Sequence, residues 1–311
     1  QLIIVLLLST FFTSLFAVDA QMEIVKKGMN LPKISVNVAY ENQNNELLNK
    51  TALMLENDLK VSGHFDVVSN KFETSFTKRP NFVTLREQNV DLFVNINMAQ
   101  SSFSAMVLNV KVYDANAQNL VINQSFSTSN SARYPFLAHR TAIAINDFFK
   151  APSIAWMDKF VIFARYLDSK QSEIVIADYT LSYENVMIKG GLNIFPKWAN
   201  KEQDSFYYTT YNRNKPTLVK ANLFTGQTQD IASSDGMIVC SDVSTDGKKL
   251  LLTMSPNDQA DIYLFDTQSK IRTKLTNYSG IDVGGSFIEN DSKIVFVSDR
   301  LQYPNIFAKK I

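Results

Sequence analysis

The sequence predicts an α/β (α+β) N-terminal domain followed by an all-β propeller, and three observations lead to this fold class. Helical and alternating apolar patterns mix up to residue 150. After residue 154 the helical pattern ends, and short apolar runs alternate with turn residues. Apolar and turn positions then recur every 44 residues, which is typical of a four-stranded propeller blade. We therefore expect an α/β domain over 21–150 and an incomplete propeller over 151–311.

The first twenty residues predict export. Residues 2–18 are free of charge, and the small-x-small pattern Val18-Asp19-Ala20 suits signal peptidase. The alternative is a membrane-spanning helix, for which this segment is at the short limit. We predict a signal peptide over 1–20, cleaved after Ala20. Because the chain starts with Gln1 and has no basic region before the apolar run, we expect the sequence to be truncated at its start.

The first domain shows two helical segments and several strands. The segment 44–61 is predicted as a helix, ended by Gly63. Its apolar stripe is formed by Leu47, Leu48, Ala52, Leu55 and Leu59. The segment 132–150 is also predicted as a helix, stopped by a proline. Its inward side chains are expected to be Phe136, Ile143, Ala144 and Phe148. A helical turn is expected over 82–88, and strands over 33–40, 64–68, 91–98, 104–113 and 120–127.

The repeat of the second domain is visible in aligned positions. One apolar series advances by 44 residues at each step: Ile162, Phe206, Leu250 and Ile294. A series at the turns follows the same step: Asp158, Glu202, Asp246 and Asn290. In the third unit we expect strands over 239–244, 249–254, 261–266 and 272–276. About 3.6 units are present, whereas a propeller closes with four to eight blades, so we expect a fragment of a six-bladed propeller.

Composition and motifs exclude several kinds of chemistry. With 31 Lys+Arg against 30 Asp+Glu, the net charge of +1 gives no basis for nucleic-acid binding. The single Cys240 cannot form an intramolecular disulfide or a cysteine zinc cage, and we expect it to be a small buried residue. The sequence lacks a G-x-S-x-G nucleophile elbow, a phosphate loop and an H-E-x-x-H zinc pair. We expect His64 and His139 to be surface or partly packed, and we predict no catalytic residue, metal site or cofactor.

The order of these domains and several short motifs resemble the TolB family. The string from Asp58 to Phe65, DLKVSGHF, is similar to the end of a helix in that family. The segment from Val243 to Leu250, VSTDGKKL, is similar to the blade pattern of that family, although Thr245 replaces the usual proline. The blade motif is shared with prolyl-oligopeptidase-type propellers, but the preceding domain makes the resemblance specific.

The resemblance implies a non-enzymatic periplasmic scaffold of the Tol–Pal system. A TolA-type inner-membrane protein would bind the mature N-terminus, at Gln21, Met22, Glu23, Ile24, Val25 and Lys26. A Pal-type outer-membrane lipoprotein would bind polar tips of the connections between blades, at Asn193, Ser234, Asp235, Tyr278 and Asp282. The expected role is envelope integrity and constriction of the outer membrane at cell division. The alternative for the N-terminal segment is a flexible terminus without a partner. The alternative for the connections is that they are ordinary solvated turns.

Two other functions compete with the scaffold. The propeller could belong to a prolyl-oligopeptidase-type serine peptidase whose catalytic domain follows residue 311. It could also bind a sugar or polymer through aromatic residues such as Trp198 and Tyr207, although their spacing favours packing inside the blades.

Overall fold

The computed structural model describes residues 31–69, 72–100 and 105–311. The chain forms two compact units that meet in sequence between Ile154 and Ala155. The predicted signal peptide and the predicted TolA-binding residues 21–26 lie outside the described residues. Within the described ranges, no helix has the length and apolarity needed to cross a bilayer.

The first unit is built on one mixed sheet with helices. Its strands are β1 (Lys33–Val38), β2 (Asp66–Val67), β3 (Leu92–Gln100), β4 (Met106–Asp114) and β5 (Asn119–Thr128), in the order β2-β1-β3-β4-β5. β1 is parallel to β2 and β3, and β3, β4 and β5 are antiparallel. The helices are α1 (Glu46–Ser62), α2 (Phe82–Glu87) and α3 (Tyr134–Phe148), with short 3₁₀ turns at 40–42 and 131–133. This arrangement confirms the predicted helix-and-strand class.

Helix α1 is confirmed, although it begins two residues later and ends one residue later than predicted. The Asn45 side chain accepts a hydrogen bond from the amide of Leu48, which caps the first turn. Gly63 ends the helix at φ +71°, a conformation that glycine adopts without steric cost. The predicted stripe is buried at Leu48, Ala52, Leu55 and Leu59, whereas Leu47 is only half-buried.

The predicted inward face of α3 is wrong at three of four positions. Phe136 is buried, but Ile143 and Ala144 are only half-buried and Phe148 is exposed. The face that packs inward instead includes His139 and Asn146, together with apolar residues such as Ala142. The apolar periodicity does not reveal this face because three of its members, His139, Thr141 and Asn146, are polar.

The expectation that His139 lies at or near the surface is also wrong. His139 is fully buried, and its Nδ1 lies 2.8 Å from Oδ2 of Asp58, which is buried in α1. The pair joins α1 to α3, and Asp58 satisfies the imidazole that would otherwise be costly to bury. His64 is partly buried, as predicted, and its Nδ1 lies 2.7 Å from Oδ1 of Asn146.

The second unit consists of four antiparallel sheets that follow one another along the chain. The first sheet holds β6 (Val161–Tyr166), β7 (Ser172–Ala177) and β8 (Glu184–Ile188). The second holds β9 (Asn193–Trp198), β10 (Ser205–Thr210), β11 (Thr217–Asn222) and β12 (Thr228–Ser233). The third holds β13 (Ile238–Val243), β14 (Lys249–Met254), β15 (Asp261–Asp266) and β16 (Arg272–Lys274). The fourth holds β17 (Asp282–Ile288), β18 (Lys293–Ser298) and β19 (Asn305–Lys310).

The 44-residue repeat is confirmed by strand positions. β6, β10, β14 and β18 begin at Val161, Ser205, Lys249 and Lys293, each 44 residues after the one before. Apolar side chains of successive sheets pack against one another, as Leu218 of the second sheet does in one cluster with Leu250 and Leu252 of the third. Leu251 faces the other way, into a cluster with Ile294 of the fourth sheet. Burial on both faces explains why apolar runs in these strands are unbroken.

Candidate protein-docking face

The loops at one end of the sheets form the candidate site. Because consecutive strands in each sheet are antiparallel, the connections between sheets emerge at one end. In the second, third and fourth sheets, the loops between the second and third strands lie at the same end. The connections are 189–192, 234–237 and 275–281, and the loops are 211–216, 255–260 and 299–304. We call these six segments together the connection face.

Each connection is fixed to its neighbouring loop by a similar pair of hydrogen bonds. The amide of Met237 donates to Oγ of Ser255 at 3.0 Å, and the amide of Ser255 donates back to the carbonyl of Met237 at 3.0 Å. In the fourth sheet the amide of Ile281 donates to Oδ1 of Asp299 at 2.9 Å, and the Asp299 amide donates to the Ile281 carbonyl. The connections are therefore held by main-chain and short polar groups.

The second sheet repeats this arrangement with an asparagine. The amide of Leu192 donates to Oδ1 of Asn212 at 3.1 Å, and the amide of Tyr211 donates to the carbonyl of Leu192 at 2.9 Å. The Asn212 side chain also donates to the carbonyl of Gly190 at 2.9 Å. The acceptors Asn212, Ser255 and Asp299 differ in chemistry but serve the same purpose.

Sequence reasoning missed a set of three glycines beneath these contacts. A Cβ atom at Gly191 would collide with the Asn212 side chain, one at Gly236 with the carbonyl oxygen of Ser255, and one at Gly280 with the Asp299 side chain. The glycines are spaced 45 and 44 residues apart, so the blade repeat could have revealed them. Their role is to let each loop approach its connection closely.

Three of the five residues predicted as exposed tips are buried. Asn193 is 2% exposed because it begins β9 and its side chain donates to the Gly190 carbonyl at 2.8 Å. Asp282 is fully buried as the first residue of β17. Ser234 is 5% exposed, and its amide donates to the carbonyl of Pro216. These three residues position the connections and do not project from them.

The other two residues predicted as tips are accessible. The Asp235 side chain is 68% exposed and lies 2.5 Å from Nζ of Lys215 on the neighbouring loop. Tyr278 is half-buried, with the guanidinium of Arg300 placed 5.2 Å from its ring centre. Both belong to connections that lead into strands β13 and β17, which contact each other. The accessible part of the connection face therefore carries a carboxylate and a phenol on adjacent sheets.

Arg300 organises the connection face at the fourth sheet. Its Nη2 lies 3.0 Å from both carboxylate oxygens of the buried Asp282, and its Nε donates to Oγ of Ser298 at 2.8 Å. Its guanidinium also lies over the rings of Phe296 and Phe307, 5.3 and 4.7 Å from their centres. The burial of the Asp282 charge is tolerated because this cation is held beside it.

One carboxylate links β9, β13 and β17, the first strands of the second, third and fourth sheets. Asp242 of β13 pairs with Nζ of Lys197 on β9 at 3.0 Å and accepts a hydrogen bond from the amide of Phe287 on β17 at 2.9 Å. Thr209 adds another link, since its hydroxyl donates to the carbonyl of Ile238 at 2.6 Å. These contacts fix three successive sheets to one another. Thr209 acts near the connection face, whereas Asp242 lies near the opposite end of β13.

The candidate reactive groups of this unit have structural roles. Cys240 is buried, and burial raises the pKa of its thiol to about 12, so it is not a poised nucleophile. Tyr207 is 3% exposed, and Trp198 packs edge-on against Phe206 with ring centres 6.1 Å apart, which agrees with their predicted place in the blade cores. In the described parts of the chain, no group of three or more His, Cys, Asp or Glu residues is placed to hold a metal ion.

A mixed-sheet unit followed by 44-residue blades defines the chain as a two-domain β-propeller protein. Residues 20–121 match the TolB amino-terminal domain, and residues 152–311 match the TolB beta propeller domain. The chain belongs to the TolB family, which confirms the resemblance seen in its motifs.

Relatives in several organisms support this membership. The chain is 48% identical over 298 residues to the Tol-Pal system protein TolB of Wolinella succinogenes, covering 95% of this chain and 70% of that protein. It is 43% identical to the protein of the same name from Helicobacter pylori strain HPAG1, covering 96% of this chain and 70% of the relative. The crystal structure of TolB from Acinetobacter baumannii shares the fold, with a TM-score of 0.71, 21% identity, and coverage of 93% of this chain and 71% of that one. None of these relatives supports the peptidase alternative.

Proposed function

We propose that this chain is a non-enzymatic periplasmic scaffold of the Tol–Pal system. The curated relatives at 48% and 43% identity carry the name Tol-Pal system protein TolB. The scaffold would link an inner-membrane TolA-type protein to an outer-membrane Pal-type lipoprotein, and so serve envelope integrity and constriction of the outer membrane at division.

The Pal-type lipoprotein would bind the connection face. The observation that carries this proposal is the exposure of Asp235 and Tyr278 on connections whose backbones are held in place. A surface that is ordered before binding loses less conformational entropy when a partner docks. The buried Asn193, Ser234 and Asp282 would act indirectly, by fixing the positions of these connections.

The TolA-type protein would bind the N-terminal segment from Gln21 to Lys26. The run Met22-Glu23-Ile24-Val25 is short and β-prone, and an extended segment of this kind can add as a strand to the edge of a partner's sheet. Main-chain hydrogen bonds would supply affinity in that mode, and alternate side chains would supply specificity.

Titration calorimetry with two purified partners tests both assignments. The lipid-free Pal-type lipoprotein and the soluble domain of the TolA-type protein, both from the source cell, are titrated into the chain starting at Gln21. We expect Asp235→Lys and Tyr278→Ala to weaken Pal-type binding at least about tenfold each, as desolvated interface residues do. Lys270→Glu, in the exposed turn between β15 and β16 at the opposite end of its sheet, is the matched control and should bind normally.

Deletion of residues 21–26 should abolish TolA-type binding and leave Pal-type binding intact. Wild-type affinity in both connection-face variants would reject the docking site. Unchanged TolA-type binding after the deletion would reject the N-terminal assignment. Failure of the wild-type chain to bind either partner would reject the scaffold role itself.

A further inference from the structure

The strands β9, β13 and β17, which begin the second, third and fourth sheets, each contain a β-bulge at the same place. In β9, Phe195 and Pro196 lie opposite the single residue Tyr208 of β10. In β17, Gly284 and Gly285 lie opposite Phe296 of β18. The third sheet has its bulge at the matching position of β13, opposite Leu252 of β14. Tyr208, Leu252 and Phe296 are each 44 residues apart, so the bulge belongs to the blade repeat.

Phe195 has a backbone conformation that is unfavourable for a phenylalanine. Its φ is +56°, in the left-handed region, where a bulky side chain crowds the backbone. The equivalent residue of the fourth sheet is Gly284, with φ +67°, which has no side chain to crowd. A glycine would therefore suit position 195, and the phenylalanine is kept there at a conformational cost.

The Phe195 ring is only partly buried, so its packing offsets little of this conformational cost. Its neighbour Ile194 is 7% exposed, whereas Phe195 is 42% exposed. In the third sheet the same position holds Cys240, which is 3% exposed and lies inside an apolar cluster. The bulge therefore turns one aromatic ring outward from a strand whose other apolar residues face the core.

The position of Phe195 places this ring beside the connection face. It is the third residue of β9, so its Cα lies within about 10 Å of the end of the connection 189–192 at the usual rise of a strand. Lys197, two residues further along, is held by Asp242 and so cannot swing freely over the ring. An accessible aromatic ring with fixed surroundings is the kind of residue that dominates binding at protein interfaces.

We propose that Phe195 is an aromatic anchor for the partner that docks on the connection face. The strained bulge presents the ring to an apolar side chain of the partner, and contact with that side chain removes the ring from water. This inference deepens the proposed function and rests on it, because it adds a specificity-determining residue to the same docking site. Strain that persists at an exposed position without stabilising the fold is typical of such functional residues.

The test separates binding from stability through Phe195→Gly. This variant relieves the left-handed strain and removes the ring, so we expect its thermal midpoint to be unchanged or higher. Its Kd for the lipid-free Pal-type lipoprotein should rise at least about 30-fold, the effect of losing an interface hot spot. Phe195→Tyr keeps the ring and should bind within about threefold of the wild type, since aromatic rings supply most of the contact area.

Lys270→Gly is the control for glycine substitution at a left-handed residue. Lys270 has φ +62° and lies in the exposed turn between β15 and β16, at the opposite end of its sheet from the connection face. It should match Phe195→Gly in thermal midpoint and bind as the wild type does.

Four outcomes decide the proposal. Weaker binding by Phe195→Gly with an undiminished midpoint, together with binding by Phe195→Tyr, supports it. Wild-type affinity in Phe195→Gly overturns it while leaving the scaffold role standing. A lower midpoint in Phe195→Gly also overturns it, because the ring would then serve the fold. Absence of binding by the wild-type chain rejects both the scaffold role and the anchor.

Discussion

Removing the cation beside Asp282 should destabilise the propeller unit strongly. Asp282 is fully buried, and Arg300 lies 3.0 Å from both of its oxygens. Arg300→Met keeps an apolar stem against Phe307 but removes the charge, so the buried carboxylate loses its only cationic partner among the described residues. Breaking a buried ion pair from one side costs about 3–5 kcal/mol.

Substitution of the other partner, Asp282, should reduce the free energy of unfolding much less. The Arg300 side chain is 33% exposed, so in Asp282→Asn the guanidinium can gain water, and the amide can still accept a hydrogen bond from it. We expect about 1–2 kcal/mol for that change. The double variant should be more stable than Arg300→Met alone, because it no longer leaves a charge buried without compensation.

Urea unfolding followed by tryptophan fluorescence measures these differences in the free energy of unfolding, and it reports on the propeller unit. The chain has two tryptophans, Trp156 and Trp198, and both lie within 155–311. With a denaturant dependence of about 1–3 kcal/mol per molar urea, the Arg300→Met midpoint should fall by at least about 1 M. A loss below about 1 kcal/mol, which is the range of exposed pairs, would refute this reasoning. Equal losses for Arg300→Met and Asp282→Asn would refute it as well.

Two further predictions follow from local geometry. Gly236→Ala should destabilise the chain more than Gly226→Ala in the same urea assay. A Cβ at 236 would collide with the Ser255 carbonyl, whereas a Cβ at 226 would meet open space, although φ there is +68°. The opposite ranking would contradict the close approach of Gly236 to Ser255. Burial raises the pKa of the Cys240 thiol to about 12, so at pH 8 only about one molecule in ten thousand carries the reactive thiolate. Iodoacetamide should therefore leave the native chain unmodified while alkylating it fully in urea, as followed by mass spectrometry, and native labelling at the rate of a free thiol would contradict the buried position.

The class of fold and the spacing of the blades could be predicted from the amino-acid sequence. Apolar side chains that pack between sheets must recur wherever the same four strands recur, so the series through Leu250 and Ile294 predicted β14 and β18 directly. The helix α1 was equally readable, because its apolar stripe and its stop at Gly63 are local features of the chain. Features set by near neighbours in the chain can be inferred from the chain.

Which polar residues are buried could not be predicted, because burial depends on contacts between separate segments of the chain. Asp282 and His139 were expected at the surface or near it, yet both are fully buried because Arg300 and Asp58, distant in sequence, supply partners of the right chemistry. The outward ring of Phe195 likewise depends on a bulge that exists only when β9 pairs with β10. Burial of a polar group and strain at a bulge are properties of contacts between strands and helices, and no periodicity within one segment encodes them.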